Sequence, residues 1–156
     1  MIGVEIPGRE LLQIHHLVTD VNGTLALDGL LLDGVMEAFE RLQANVKIHM
    51  LTANTHGRQD EIDRALSLTA VIIPRGEEAE AKARFVRDLG SKHVAAIGQG
   101  ANDAGMLQEA GLGICVLSRE GTALSAFQAA DVLIPDILSA LELLQNPRRL
   151  AATLRT

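Results

Sequence analysis

The chain has no tryptophan and no tyrosine, and three phenylalanines are the only aromatic residues among its 156. Single-stranded nucleic acid is usually held on aromatic faces against which bases stack, and here there is no such platform. Cations are also scarce: 14 Lys and Arg stand against 20 Asp and Glu, for a net charge of -6. Duplex binding rewards clustered lysine and arginine, so no nucleic acid partner is expected. One cysteine, Cys115, lies within an apolar run, which excludes an intrachain disulfide or a cysteine metal centre and marks a core position. No apolar stretch approaches the roughly 18 to 20 residues needed to cross a bilayer. The opening MIGVEIPGRELLQ has a proline and acidic residues where a signal peptide would need a basic segment and a long apolar one. A cytoplasmic protein without membrane association is the expectation.

What the chain does have is an ordinary globular composition, 47% hydrophobic and 22% charged, at a length that suits one domain with a sizeable core. Short β-rich runs alternate with helical ones. The strands are expected at Ile14–Thr19, Val46–Leu51, Ala70–Ile73, Val94–Ile97, Gly113–Leu117 and Asp131–Ile134. The helices between and after them are expected at Gly34–Gln43, Arg58–Ala65, Ala79–Asp88, Asp103–Glu109, Thr122–Ala129 and Asp136–Leu144. Strict alternation of this kind is the mark of parallel βαβ units, so the expected fold is α/β: a three-layer α/β/α, doubly wound, mainly parallel sheet. It forms one domain over residues 1–156, with no linker, repeat or low-complexity segment. Thr24–Asp33 reads as a β-hairpin, with Leu25 and Leu27 facing Leu30 and Leu32 across the turn dipeptide Asp28-Gly29. It would form a small flap after the first strand. Asn146-Pro147 restarts a final helix, Pro147 suiting its first turn, that would pack outside the sheet.

Four segments fall on one edge of such a sheet. Asp20 ends the first strand ahead of Gly23, Thr52 ends the second, Lys82 opens the helix after the third, and Gly98-Gln99-Gly100-Ala101-Asn102-Asp103 follows the fourth. In a parallel sheet these strand ends converge on a single crevice. A carboxylate nucleophile, a hydroxyl, a cation and further oxygen donors are what phosphoryl transfer requires. Each segment also has a plainer reading: a turn at Asp20–Gly23, a helix cap at Thr52, a solvated lysine at position 82, and a strand-to-helix turn or half a dinucleotide fingerprint at Gly98–Gly100.

The order Asp-x-x-Gly-Thr-Leu at 20–25, then Thr52, Lys82 and Gly-x-Gly-x-Asn-Asp at 98–103, resembles the haloacid dehalogenase (HAD) superfamily. With Leu51-Thr52-Ala53-Asn54-Thr55 and the tail Asn146-Pro147-Arg148-Arg149-Leu150, it resembles more narrowly the soluble P-type ATPase-like phosphatases that lack a cap domain. The resemblance implies a HAD-like Rossmannoid fold and a Mg2+-dependent phosphohydrolase or phosphotransferase that works through an aspartyl phosphate at Asp20. It implies Mg2+ held by the Asp20 carboxylate, the Asn22 backbone carbonyl and Gln99, with Asp103 on the metal side. Phosphate would be held by Gly23, Thr52, Ala53, Asn54 and Lys82, while Asn102 and Asp103 orient Lys82 and metal-bound water. The substrate would be a phosphorylated compound of unspecified identity.

Two positions depart from that pattern. Asn22 stands where most such phosphatases carry an acid/base aspartate, and losing a positioned proton donor costs roughly 10²- to 10⁴-fold in rate. Turnover should therefore be slow. Gln99 stands where the family has a metal-binding aspartate, and an amide brings an oxygen but no charge. The alternative is a catalytically impaired phosphate-binding or regulatory module. His15 and His16, adjacent on a strand, face opposite sides and read as structural, as does His49; His56, in the loop after Thr52, is a candidate substitute proton donor. A short hairpin and a single helix between the second and third strands leave no room for an inserted cap. The open site would then be covered by a large substrate or by a second subunit, which makes a homo-oligomer compatible with the sequence.

Overall fold

In the computed structural model, which describes residues 1–156, the chain opens with an antiparallel pair, β1 (Ile2–Val4) and β2 (Leu12–Ile14). After β3 (His16–Asp20), a hairpin of β4 (Ala26–Leu27) and β5 (Leu30–Leu31) leads into α1 (Val35–Gln43). Next come β6 (Lys47–Thr52), α2 (Gln59–Leu66), β7 (Val71–Ile72), α3 (Glu78–Leu89) and β8 (Val94–Gly98). A 3-10 turn at Ala101–Asp103 runs into α4 (Ala104–Glu109), followed by β9 (Leu112–Val116), α5 (Leu124–Ala129) and β10 (Val132–Ile134). Helices α6 (Ile137–Gln145) and α7 (Pro147–Leu154) complete the order.

Six strands form one sheet in the order β10-β9-β8-β3-β6-β7, and every neighbouring pair is parallel. The chain builds outward from β3 through β6 and β7, then returns to the other side of β3 for β8, β9 and β10. The crevice beside β3 is therefore a topological switch point, where open α/β sheets bind their ligands. Alternation along the strands feeds two cores. Leu17, Ala95, Ile97, Ile114 and Val116 face α1 and α6, where Phe39, Leu42, Leu141 and Leu144 are buried. Val18, Val94, Ala96 and Cys115 face the other way, onto Val86, Met106, Leu107 and Ala126 of α3, α4 and α5. Strands covered on both faces read as nearly unbroken apolar runs, which is why they stand out in the sequence. In α1 the buried Val35, Ala38, Phe39 and Leu42 fall at the spacing of one helical stripe. Each large side chain so buried contributes about 1.5 to 3 kcal/mol.

The flap has the expected register, with Leu27 opposite Leu30 and the Leu32 amide donating to Leu25 O at 2.9 Å. Its two-residue turn places both Asp28 (φ 52°) and Gly29 (φ 78°) in the left-handed region, as the tightest hairpins require. Between β3 and α1 the chain has only this hairpin with its flanking turns, and between β6 and β7 only α2. The first expected strand, Ile14–Thr19, is in fact two. The His15 amide donates to His93 O and its carbonyl accepts from Lys47, so the sheet strand begins at His16, while Ile14 belongs to the ribbon with β1. The ribbon has no counterpart among the expected elements, and α7 lies against β1 and α6 with Leu150 buried. No helix is long and apolar enough to cross a membrane.

The histidines divide as strand alternation requires. His15 lies beside His93, with ring centroids 4.8 Å apart, whereas His16 Nδ1 is 3.2 Å from His49 Nε2. His49 also stands edge-on to Phe85. Burial holds the His49 imidazole down at about 4, against an ordinary 6.5, and the charges of His16 and Lys47 push the same way. Between those two values the unfolded chain binds a proton that the folded chain refuses, so stability falls as pH drops from about 6.5 to about 4. His49→Gln should flatten that acid limb in thermal denaturation followed across this range; equal slopes for variant and parent would contradict the assignment.

Candidate active site

The parallel register brings the expected residues to one edge. Asp20 is aligned with Leu51, Thr52 with Ile72, and Gly98 with Cys115, so all three lie at the C-terminal ends of their strands. Lys82, on the face of α3 that also buries Ala83 and Val86, reaches into this edge with its side chain only 2% exposed. Its Nζ donates to Asp20 Oδ1 at 2.6 Å and to Asp103 Oδ1 at 2.8 Å. A buried ammonium is costly unless it is paired, and here two carboxylates pair it. The second oxygen of Asp103 accepts from the Gln99 and Gly100 amides at 2.9 and 2.8 Å, which fastens the loop after β8. Gly98 makes room for this, since a β-carbon there would lie 2.6 Å from Asp103 Cγ.

Two buried carboxylates share one lysine, which leaves an excess of negative charge. Burial, then the nearby Asp103 charge, raise the Asp20 carboxyl to about 7, against the pull of Lys82 and the Val21 amide. Burial works to lower the Lys82 pKa, but Asp20 and Asp103 together outweigh it and the lysine lies above its ordinary value. Thr24 Oγ1 lies 3.4 Å from Asp20 Oδ2. The buried Thr52 hydroxyl accepts from Asn22 Nδ2 at 3.2 Å and from the Asn54 amide at 2.9 Å. With both lone pairs engaged, its proton is left to donate outward. Asn54 holds a left-handed φ of 50° to make that turn, so its amide serves Thr52; Ala53 beside it is half-buried. Asn102 is exposed above Gly100, and Lys82 takes its anchoring from Asp103 instead. His56 is exposed and makes no hydrogen bond to Asp20, Thr52 or Lys82; it stands against the flap tip, 3.0 Å from where a β-carbon of Gly29 would be.

The donors available to a cation are the Asp20 carboxylate, the Asn22 carbonyl and the Gln99 amide. Gln99 Nε2 lies 3.4 Å from Asn22 O, and turning the amide over would place a third oxygen there. An all-oxygen set that includes one carboxylate fits a hard ion such as Mg2+, which commonly takes one or two carboxylates and completes its shell with water and phosphate. The Asp103 oxygens are committed to Lys82 and the loop amides, outside that set. No group of three or more His, Cys, Asp or Glu is arranged to hold a metal. Beside the turn that follows Asp20, a pocket of ≈ 330 Å³ is lined by Gly23, Thr24, Leu27, Leu32, Arg119 and Asp136 among others.

Residues 4–111 match the model of the haloacid dehalogenase-like hydrolases. The chain belongs to that family. Asp20, Asn22, Thr52, Lys82, Gln99 and Asp103 all lie inside the matched segment of this HAD-like hydrolase. An uncharacterised protein of Methanocaldococcus jannaschii is 40% identical over 84 residues, covering 51% of this chain and 90% of the relative. Among solved structures, the fold is similar to the cobalt-bound deoxy-D-mannose-octulosonate 8-phosphate phosphatase of Haemophilus influenzae (TM-score 0.72, 14% identity, 92% of this chain and 94% of that one). It is also similar to the 3-deoxy-D-manno-octulosonate 8-phosphate phosphatase of Moraxella catarrhalis, in complex with magnesium, phosphate and KDO (TM-score 0.65, 20% identity, 92% and 95%).

The three-way ion pair makes a stability prediction. Lys82→Met strands two buried carboxylates and should cost roughly 3 to 5 kcal/mol in urea denaturation at neutral pH. Asp20→Asn removes one of two competing charges and should be tolerated or stabilising. Equal stability of Lys82→Met and parent would contradict the account.

Proposed function

We propose that this HAD-like hydrolase is a phosphatase or phosphotransferase that works through an aspartyl phosphate on Asp20. The observation that carries the reading is Lys82 Nζ, buried at 2.6 Å from Asp20 Oδ1 at the switch point of the sheet. An Asp20 oxygen attacks phosphorus, a bond to the aspartate forms, and the bond to the leaving oxygen breaks. Water then attacks the same phosphorus, inorganic phosphate departs and the carboxylate is restored. Lys82 neutralises both nucleophile and phosphoryl group, and the Thr52 hydroxyl donates to a phosphoryl oxygen. Mg2+, held by Asp20, the Asn22 carbonyl and Gln99, would supply Lewis-acid polarisation of the phosphoryl group; the Moraxella relative, in complex with magnesium and phosphate, supports this choice.

Asn22 cannot give the leaving oxygen a proton. Its amide is turned onto Thr52, so it serves to position the phosphate-binding hydroxyl. The leaving group must then be stable as an anion or draw its proton from water, which favours aryl and acyl phosphates and slow turnover of alkyl esters. The pocket at Leu27, Leu32 and Arg119 suits a small phosphorylated compound whose body is partly apolar. With no inserted domain between β3 and α1 or between β6 and β7, a second subunit would complete the cover over so small a substrate, in a cytoplasmic protein with no membrane attachment. The second reading, an impaired phosphate-binding module, draws on Gln99 Nε2, which is directed at the very carbonyl that would face the cation.

Turnover of an aryl phosphate with Mg2+ tests the proposal. Asp20→Asn should abolish it, and Asn22→Asp should raise it by roughly 10²-fold or more. Absence of activity in both the parent and Asn22→Asp would favour the impaired module.

A further inference from the structure

With Asp103 committed to Lys82 and the loop amides, the cation site keeps a single motif carboxylate, Asp20. A second carboxylate, Glu120, stands beside Gly23, three residues on from Asp20, on a loop that the motifs do not include. The segment from β9 to α5, residues 117–123, is tied to the site, because the Ala123 amide donates to Gln99 O at 2.9 Å. Its turn is closed throughout: the Gly121 amide donates to Ser118 O, the Glu120 amide to Ser118 Oγ, the Ser118 amide to Thr122 Oγ1, and Thr122 Oγ1 to Val116 O, at 2.9 to 3.1 Å. Glu120 projects from this turn over Gly23. A β-carbon at Gly23 would lie 2.7 Å from Glu120 Oε2 and 2.4 Å from Gln99 Nε2, so both side chains fill the space that the glycine leaves open. That space adjoins the Asn22 carbonyl, 3.4 Å from Gln99 Nε2.

Glu120 also has no basic partner. Four surface glutamates pair with arginine, Glu61 with Arg58, Glu80 and Glu109 with Arg87, and Glu142 with Arg149, whereas Glu120, like Asp88, belongs to none of the ion pairs; what distinguishes Glu120 is its place beside Gly23 and Gln99. A free carboxylate on the lip of a phosphate site repels the substrate unless a cation lies between them. We infer that Glu120 is the second carboxylate of the cation site, binding the ion directly or through one of its waters, and that it supplies the charge missing at Gln99. One or two carboxylates, neutral oxygens, water and substrate phosphate make a donor set typical of Mg2+. This rests on the cation site of the proposed function, and adds to it a residue from outside the family segment at 4–111.

Calorimetric titration with Mg2+ alone, without substrate, tests the inference directly. Glu120→Gln should weaken the Kd by roughly 10- to 100-fold, the range for supporting groups at metal sites. Asp88→Asn, which removes an exposed carboxylate elsewhere, should leave it unchanged, and adding Gln99→Asp to Glu120→Gln should restore it. Binding by Glu120→Gln as tight as the parent's, or no binding by the parent, overturns the inference. Weakened binding in Glu120→Gln without any phosphoryl transfer by the parent would support this site while removing the phosphatase reading. Unweakened binding with intact turnover would do the reverse.

Discussion

Everything at the C-terminal edge of the sheet is arranged around the Lys82 ammonium, which lies between Asp20 and Asp103 and is almost entirely out of water. Such a charge is tolerable only with good geometry, and the fold supplies it from three directions. β3 delivers Asp20, α3 delivers the lysine, and the turn after β8 delivers Asp103, itself held by two backbone amides. No buried side-chain polar atom is left without a partner, so the network is complete. The crossing of the chain from one side of β3 to the other is what allows three distant segments to meet.

The same network explains why the two departures from the family pattern leave the site recognisable. Asn22 gives up proton transfer but keeps its backbone carbonyl, and its side chain steadies Thr52. Gln99 gives up a charge but keeps its amide hydrogen bond to Asp103 and a side chain beside the Asn22 carbonyl. In both cases the contacts to neighbouring site residues are kept, while the charge of an aspartate is absent. Under the proposed function, Asp20, Lys82 and the Thr52 hydroxyl would still serve formation of an aspartyl phosphate, while steps that need a proton donor would be slowed.

Much of this was legible in the sequence because the relevant signals are local. Strands buried on both faces announce themselves as apolar runs, and Asp28-Gly29 fixed the hairpin register because both residues adopt positive φ. Asp20, Thr52, Lys82 and Asp103 could be found because each falls at a strand end or in the helix or turn that follows one. The N-terminal ribbon was not legible, since three-residue strands carry too little periodicity and Ile14 reads naturally as part of the next strand. Nor was the commitment of Asn54 to Thr52, which depends on one backbone turn. Glu120 gave no signal at all: in Ser118-Arg119-Glu120-Gly121 it looks like any surface turn, and only its meeting with Gly23 and Gln99 in space sets it apart.

The proposed chemistry turns on whether Asp20 accepts a phosphoryl group. Acid-quenched mass spectrometry after incubation with Mg2+ and acetyl phosphate measures this most directly, because missing acid catalysis matters least for an acyl phosphate. One hydroxylamine-labile phosphoryl group is expected on the peptide that carries Asp20, and none on Asp20→Asn. A phosphoryl group on another residue, or turnover that persists in Asp20→Asn without any adduct, would rule out Asp20 as the acceptor.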